Sequence, residues 1–322
     1  MFPLSSRENI GLYYQFEIWD FAFAFRVFIF KSPAIRFAVS SFSFLLITPS
    51  RRRCYHHHLH YLPRHDTVIY SSTTSTFHVL FTMAGSQISK SLLEKAYIKK
   101  DIFELRPDYR VLLMVVEGIS PGPSDEASEA LLQGAEACVK DLLSKHPVTE
   151  LPHIAAWREA YKAFGAKPQK TQNSLEALTR RAKNGLPRVN RLTDIYNAIS
   201  IKHQIPFGGE DLDKYNGSPF LVRATGQEQF QTFSSGEPVS ELTAPGEPIW
   251  CDNTGVTCRR WNWRQGPRTA LSDDTTRVLF ILDALEPLSD DALLGAAEEL
   301  ASELKRSSPE LQVSQRLIGA SD

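Results

Sequence analysis

The spacing of hydrophobic and polar positions changes period along the chain. From Ser86 to Lys100 the apolar residues Ile88, Leu92, Leu93 and Ala96 share one face, which predicts a helix. Tyr109 to Gly118 carries the unbroken apolar run V-L-L-M-V-V, the mark of a strand covered on both faces. Pro121-Gly122-Pro123 ends it, and Ser124 can cap a following helix with Leu131, Ala135, Cys138 and Leu142 inward. A short helix after Pro152 carries Ile154, Trp157, Tyr161 and Phe164 and stops at Gly165. Asn173 or Ser174 opens a basic helix that ends near Gly185. Asn190 can cap another, with Leu192, Ile195, Tyr196 and Ile199 at i, i+3, i+4 and i+7, closed by Pro206 and Gly208-Gly209.

Beyond Gly209 the period shortens. Residues 220–225, 230–233, 248–251, 255–263 and 277–282 read as strands separated by turn residues at Gly226, Gly236, Pro245-Gly246, Asn253-Thr254-Gly255 and Gly266-Pro267. A last amphipathic helix runs from Ser289 to about Lys305. Helices first, then strands, then one closing helix predict an α+β fold, a mixed or antiparallel sheet with flanking helices. No internal repeat is present, and no phosphate-cradling or dinucleotide glycine motif.

Composition divides the chain. Residues 1–82 hold 12 of the 19 Phe and six of the nine His but only four acids, and carry +4; residues 83–322 carry −5. This step predicts an N-terminal extension over 1–82, disordered or upstream of a natural start at Met83, followed by one domain over 83–322. The start at Met83 is the favoured reading; low acid content with Arg and Ser also suits an organellar transit segment, the lesser alternative. Otherwise the expectation is cytoplasmic. The apolar stretch from Phe21 to Thr48 is broken by Arg26, Lys31 and Arg36, which argues against a membrane span. His56, His57, His58 and His60 lack Cys or carboxylate partners at ligand spacing, so no metal is expected, and no cofactor. Cys251 and Cys258 read as buried thiols.

The formal net charge of −1 is a cancellation. Between Lys167 and Lys202 lie Lys167, Lys170, Arg180, Arg181, Lys183, Arg188, Arg191 and Lys202 against only Glu176 and Asp194. Arg259, Arg260, Arg264 and Arg268 have no acid among residues 259–268. Such clusters focus anionic partners, RNA among them; a solvated basic helix is the other reading. On a continued strand, Arg259, Trp261 and Trp263 would share one face, and Arg260, Asn262 and Arg264 the other. Guanidinium beside indole suits stacking on exposed bases.

The run L-P-R-V-N-R-L-T-D-I-Y-N-A-I-S-I-K-H-Q-I-P-F-G-G-E-D-L-D-K, residues 186–214, resembles the B3/B4 domain of the phenylalanyl-tRNA synthetase beta subunit, which removes wrongly attached tyrosine from tRNA. The resemblance extends over about residues 100–285. It takes in Phe220–Thr225, the segment around Glu247, Trp250 and Asp252, and G-V-T-C-R-R-W-N-W-R-Q at 255–265, which is closer to freestanding relatives of the domain. Nothing resembles the aminoacylation core. The resemblance implies a pocket beneath Asn190 to Asp211 closed by the later strands, tRNA as partner, and hydrolysis of a mischarged aminoacyl ester in trans. The family's pocket His position carries Gly208 here, and His203 lies five residues earlier on a helix. A non-catalytic RNA-binding module and an amino-acid-binding protein remain as alternatives.

Ester hydrolysis needs a positioned water, donors for a developing oxyanion and a hold on the α-amino group. Gly208 and Gly209 could supply backbone N–H donors, or could end a helix. Glu210, Asp211, Glu247 and Asp252 could bind an ammonium or orient water, or could pair with arginines. Glu247, Asp252, Gly208 and Gly209 are therefore the catalytic candidates. Asn190, Asn197, Asp211, Arg223, Arg259, Trp261, Asn262 and Arg264 are the substrate-binding candidates. Lys167, Lys170, Arg180, Arg181, Lys183 and Arg188 are the candidates for contacting nucleic acid.

Overall fold

The computed structural model describes residues 87–322 in full and the backbone of 11–18, 21–28, 43–48 and 51–56. The chain divides into two compact units, Met1–Ser71 and Ser72–Asp322. In the first unit the described residues form two antiparallel hairpins, β1 (Gly11–Ile18) with β2 (Phe21–Phe28) and β3 (Ser43–Thr48) with β4 (Arg51–His56). The expected boundary at 82/83, the start at Met83 and the side chains of the histidine cluster lie outside the described residues. Among the described residues no helix is long and apolar enough to cross a membrane.

The second unit is α+β. After helix α1 (residues 87–94) come β5 (Tyr97–Ile98), α2 (Lys100–Leu105) and β6 (Arg110–Glu117). Helices α3 (Glu126–Lys145), α4 (Pro152–Ala163), α5 (Ser174–Ala182) and α6 (Arg191–His203) follow. Strands β7 (Phe207–Asp211), β8 (Phe220–Arg223), β9 (Gln229–Ser234), β10 (Glu237–Leu242), β11 (Pro248–Asp252), β12 (Gly255–Arg259), β13 (Arg264–Gln265) and β14 (Arg277–Ala284) come next. Helix α7 (Asp290–Ser307) and strand β15 (Gln312–Ile318) close the chain.

Two sheets carry the fold. One has the order β15-β6-β14-β7, all antiparallel, and the other β13-β12-β11-β8-β5, with a parallel β5·β8 pair. The apolar run of β6 explains their stacking. Val111, Leu113 and Val115 point to one face and pack with Trp250, Cys258 and Leu221 of the other sheet. Leu112, Met114 and Val116 point to the opposite face and pack against Ile195 and Ile199 of α6 and Leu293, Leu300 and Leu304 of α7. Side chains alternate along a strand, so a central strand between two apolar layers must be apolar at every position.

Several local expectations shift. The first helix stops near residue 94, and β5 and α2 replace its second half. Asp125 rather than Ser124 caps α3, in a reciprocal box with Ser128, and the buried stripe is Ser128, Leu132, Ala135 and Val139. Helix α6 ends at Gln204 in the left-handed region, φ 55°. Pro206 to Gly209 therefore do not close it: they lead into β7, whose Phe207–Asp211 pair with Leu282–Val278 of β14. Two adjacent glycines carry little strand preference, so pairing with β14 decides the conformation. The strand expected over 255–263 breaks at Arg259, because Arg260 (φ 49°) and Trp261 (φ 63°) take left-handed backbone.

Candidate functional site

A cavity of about 220 Å³ opens between the two sheets. Its lining draws on α5 (Ser174, Leu178), α6 (Tyr196, Asn197, Ser200), β7 (Gly208, Glu210) and β14 (Ile281, Asp283). Trp250 and Cys258 of the second sheet and Trp261, Asn262, Trp263 and Gln265 of the turn after β12 complete it. Register explains the convergence. Gly208 pairs with Ile281 and Glu210 with Leu279, so 208 and 210 share the face of 279, 281 and 283, the one turned to the other sheet.

Gly208 is where the cavity gains its room. A Cβ built there meets nothing within 4 Å, whereas one at Gly209 would meet Phe280 and Val278 at 3.0 Å. Neither glycine is a helix end, and Gly208 is not a free donor. Pro206 O accepts from Asp283 N at 3.1 Å, and Gly209 O turns outward to accept from Gln265 Nε2 at 3.2 Å. Alternation then places the Gly208 N–H in the ladder with β14 and the Gly209 N–H on the outer edge. The expected pair of oxyanion donors at 208 and 209 is thus corrected.

Two carboxyls define the cavity's chemistry. Asp283 is 1% and Glu210 4% exposed, and among the described residues neither has a Lys, Arg or His within salt-bridge distance. Tyr109 Oη donates to Asp283 Oδ1 at 2.6 Å, and Asn262 Nδ2 donates to Oδ2 at 3.1 Å. Tyr215 Oη donates to Glu210 Oε2 at 2.5 Å. Burial pushes both carboxyls up to about 7; hydrogen bonds from Tyr109 and Asn262, and from Tyr215, only partly offset it. A buried ion without a partner costs several kcal/mol, so these two are expensive features of the core. Asp283 is a site residue that sequence reading missed. Its signal was a lone acid ending the apolar run V-L-F-I-L of β14.

The turn 260–263 is held in place by polar contacts. Trp261 N donates to Pro248 O, Asn262 O accepts from Ser174 N, and the Tyr161 hydroxyl lies 2.7 Å from Arg260 O and 3.0 Å from Asn262 Oδ1. Trp261 is fully buried and packs on Trp157 and Tyr109, with ring centroids 5.4 and 5.2 Å away. It is a cavity wall, unable to stack on a base. Trp263 is half-buried, with the guanidinium of Arg264 4.2 Å and that of Arg260 4.4 Å from its ring. Among the described residues Arg264 has no carboxylate within ion-pair distance, so its charge sits open beside the cavity.

Most other candidates are structural. Arg259 is 4% exposed; its Nε donates to Glu247 Oε1 at 2.6 Å and its Nη1 to Glu241 at 2.8 Å. Arg260 Nε adds a third bond to Glu247 at 2.9 Å. Glu247 is thus spent on two arginines rather than on water. Asp252 accepts from Thr254 N, Gly255 N, Asn216 N and both Nη of Arg268. Burial would raise its carboxyl, but the Arg268 and backbone bonds outweigh it and hold it low. Asp211 points to the opposite face from Glu210, toward Thr275 and Lys214. Arg223 braces Gly246 O at 2.9 Å. Asn190 is the N-cap of α6, accepting from Thr193 N at 2.9 Å. Only Asn197, Trp261, Asn262 and Gly208 of the expected site line the cavity, with Arg264 beside it.

The basic stretch is partly neutralised. Arg188 pairs with Glu129 at 2.7 Å and Glu136 at 2.6 Å, and Arg180 with Glu176 at 2.8 Å, which corrects their assignment to a nucleic-acid surface. Lys167, Lys170, Arg181 and Lys183 are exposed, with no ion pair among the described residues. Arg181 follows Ser174 and Leu178 at helical spacing, on the side of α5 that borders the cavity.

Among the described residues no activated nucleophile borders the cavity. Burial pushes the Cys258 thiol well up. None of the three histidines among residues 87–322 lines the cavity: His153 is engaged with Gln204 O, Trp157 and Leu285 N, His203 with Glu299, and His146 follows α3 at the surface. No group of three or more His, Cys, Asp or Glu side chains that could hold a metal ion occurs among the described residues.

No curated protein matches this chain. Among solved structures it is similar to an N-terminal fragment of the phenylalanyl-tRNA synthetase beta-subunit from Pyrococcus horikoshii, with 12% identity and a TM-score of 0.36 over 68% of this chain. The match covers 49% of that fragment, so the chain spans about half its length. The family model for the B3/4 domain matches residues 156–310, from α4 through β14 and α7 and therefore the whole cavity lining. On that match the chain contains a B3/4 domain over residues 156–310.

Proposed function

We propose that the protein binds aminoacylated tRNA and hydrolyses a mismatched aminoacyl ester. The observation that carries this reading is the placing of an aromatic, amino-acid-sized cavity beside the unpaired charge of Arg264. About 220 Å³ holds on the order of seven waters at roughly 30 Å³ each, below the range of about 300–1,000 Å³ usual for larger ligands. An aminoacyl group fits it and a nucleotide does not. The terminal nucleotide would lie outside, where Trp263 and Arg264 offer a ring face and a guanidinium. Lys167, Lys170, Arg181 and Lys183 would neutralise backbone phosphates.

The chemistry on this reading is positioning. Without an activated Ser or Cys, water attacks the ester carbonyl while the cavity holds the amino acid and the rim holds the RNA. Asn197 lines the cavity and its amide makes no side-chain hydrogen bond among the described residues, so it is the candidate to hold that water, while the Ser200 hydroxyl donates to Ile205 O. The test incubates the full chain with a panel of tRNAs charged with cognate and non-cognate amino acids and follows ester loss. Acceleration for a subset of amino acids supports the proposal. Salt-sensitive tRNA binding without deacylation would leave a binding module, the reading favoured by Gly208 at the family's His position.

A further inference from the structure

A second, open groove of about 710 Å³ lies at the β5 edge of the second sheet and shares no lining residue with the cavity between the sheets. Its size falls within the range of about 300–1,000 Å³ usual for small-ligand sites. Strand register sets its floor. Tyr97 pairs with Phe220 and Ile98 with Leu221. Leu221 points into the core between the sheets, so alternation turns Tyr97 and Phe220 to the opposite face. Their rings stack in parallel, centroids 5.2 Å and planes 2° apart, and Tyr97 stays 46% exposed. One wall is α1, whose Ile88, Ser91, Leu92 and Lys95 recur at i, i+3, i+4 and i+7.

Three polar side chains of different kinds border these rings. Lys95 is exposed, and among the described residues it has no carboxylate within ion-pair distance. Asp213 is tied through Oδ1 to Arg277 Nη1 at 2.7 Å, while its Oδ2 has no partner among the described residues. Arg277 also donates to Glu117 at 3.0 Å, so Lys95 is the open cation of the groove. The Asn253 amide makes no hydrogen bond among the described residues. Gly217 gives that amide its place. With φ +79°, it would, as any other residue, put a Cβ 2.3 Å from Asn253 Nδ2 and 2.9 Å from its Cγ.

We propose that this groove binds an adenine nucleotide. The base continues the Tyr97–Phe220 stack. The Asn253 amide presents a donor and an acceptor side by side, the pairing that adenine matches among the bases. Asp213 Oδ2 accepts from the ribose hydroxyls, and Lys95 takes the phosphate. A lipid chain or an apolar peptide would cover the rings but leave Lys95, Asp213 and Asn253 without partners. A free nucleotide and an unpaired adenosine of an RNA strand share this chemistry. The groove is separate from the cavity, so its occupancy stands or falls independently of ester hydrolysis.

The experiment is calorimetric titration of the full chain at pH 7 with the 5′-monophosphates of adenosine, guanosine, cytidine and uridine, with adenosine, with ribose 5-phosphate and with a short oligoadenylate RNA. Adenosine monophosphate should bind about fivefold or more tighter than the other monophosphates and than adenosine, with ribose 5-phosphate weakest. Tyr97→Ala and Lys95→Glu should each weaken it about tenfold. Both side chains are exposed, so an unchanged Tm is expected, and Lys95→Glu carries the test if Tyr97→Ala does not fold. Asn253→Ala should bring adenosine monophosphate down to the level of the others. Phe233→Ala, exposed but outside the groove, should change nothing. A gain of about tenfold or more for the oligoadenylate, lost in Tyr97→Ala, assigns the site to an RNA strand; a smaller gain assigns it to the free nucleotide. No binding of adenosine monophosphate at millimolar concentration overturns the proposal. So does binding that Tyr97→Ala and Lys95→Glu leave unchanged, or equal affinity for all four monophosphates.

Discussion

The phenol of Tyr109 donates to the carboxylate of Asp283 across 2.6 Å, from the start of β6 to the end of β14, with both residues buried between the sheets. A core assembled for stability alone would use apolar residues of the same size here. Replacing Asp283 by Asn keeps the shape and removes the buried charge. The expected outcome at pH 8 is a stabilisation of about 1–3 kcal/mol, read as a higher Tm, together with loss of deacylation. Tyr109→Phe goes the other way, costing about 1–3 kcal/mol because it strips a donor from a buried carboxylate. A lower Tm for Asp283→Asn at pH 8 would show that the carboxylate serves the fold.

Glu247 illustrates the opposite case. Its two oxygens hold Arg259 and Arg260, the pair from which the left-handed turn to Trp261 departs. Glu247→Ala leaves the buried Arg259 guanidinium with only the exposed carboxylate of Glu241, a change whose cost is bounded by the roughly 3–5 kcal/mol of a fully unpaired buried ion. Urea denaturation should show a drop within that bound. Deacylation by whatever fraction stays folded should be unchanged, since Glu247 does not line the cavity.

Much of this was legible in the sequence, because periodicity is local. The α+β class, β6 as a doubly buried strand, α6 with its Asn190 cap and the closing helix α7 all follow from spacing. What escaped depends on pairing between distant segments. Strand β7 is hidden behind two glycines, and β15 after α7 becomes a strand only beside β6. The site suffered likewise. Glu210 and Asp211 are neighbours in sequence, yet strand alternation sends one to the cavity and the other to Thr275. Four arginines at 259–268 looked unpartnered because their acids, Glu241, Glu247 and Asp252, lie on other strands. Arg264 alone of the four keeps an open charge.

The same distinction separates the basic residues of the 167–188 stretch. Replacing Lys167, Lys170, Arg181 and Lys183 together by Ala should weaken tRNA binding at low salt. It should also flatten the dependence of log K on log salt by about 0.7–0.9 for each phosphate no longer neutralised. Arg188→Ala, whose charge is taken up by Glu129 and Glu136, should leave that slope unchanged. Filter binding from low to moderate salt measures both. Equal slopes for the quadruple variant and the parent would remove this face from the RNA path.

Stability should fall as pH rises through neutrality. Burial raises Glu210 from 4.5 and Asp283 from 3.8 to about 7, so between those limits the folded state keeps protons that the unfolded chain has released. That stability is present at low pH and is lost as pH rises through about 7. The groups facing them do not reverse the trend. Tyr109, Tyr161, Tyr215 and Cys258 are all pushed upward by burial and stay neutral, and the charge of Arg268 is held by Asp252. His153 acts with the opposite sign. Burial lowers it from 6.5 to about 4, so below pH 6.5 the unfolded chain takes up a proton that the folded one refuses. In the parent, two carboxyls outweigh one imidazole, and Tm should decline from pH 6.5 to 8. In the Glu210→Gln, Asp283→Asn double variant that decline should vanish, leaving the His153 loss below pH 6.5 as the visible slope. A parent Tm that rises between pH 6.5 and 8 would place the ionised form of these carboxyls in a more polar surrounding than the cavity described here.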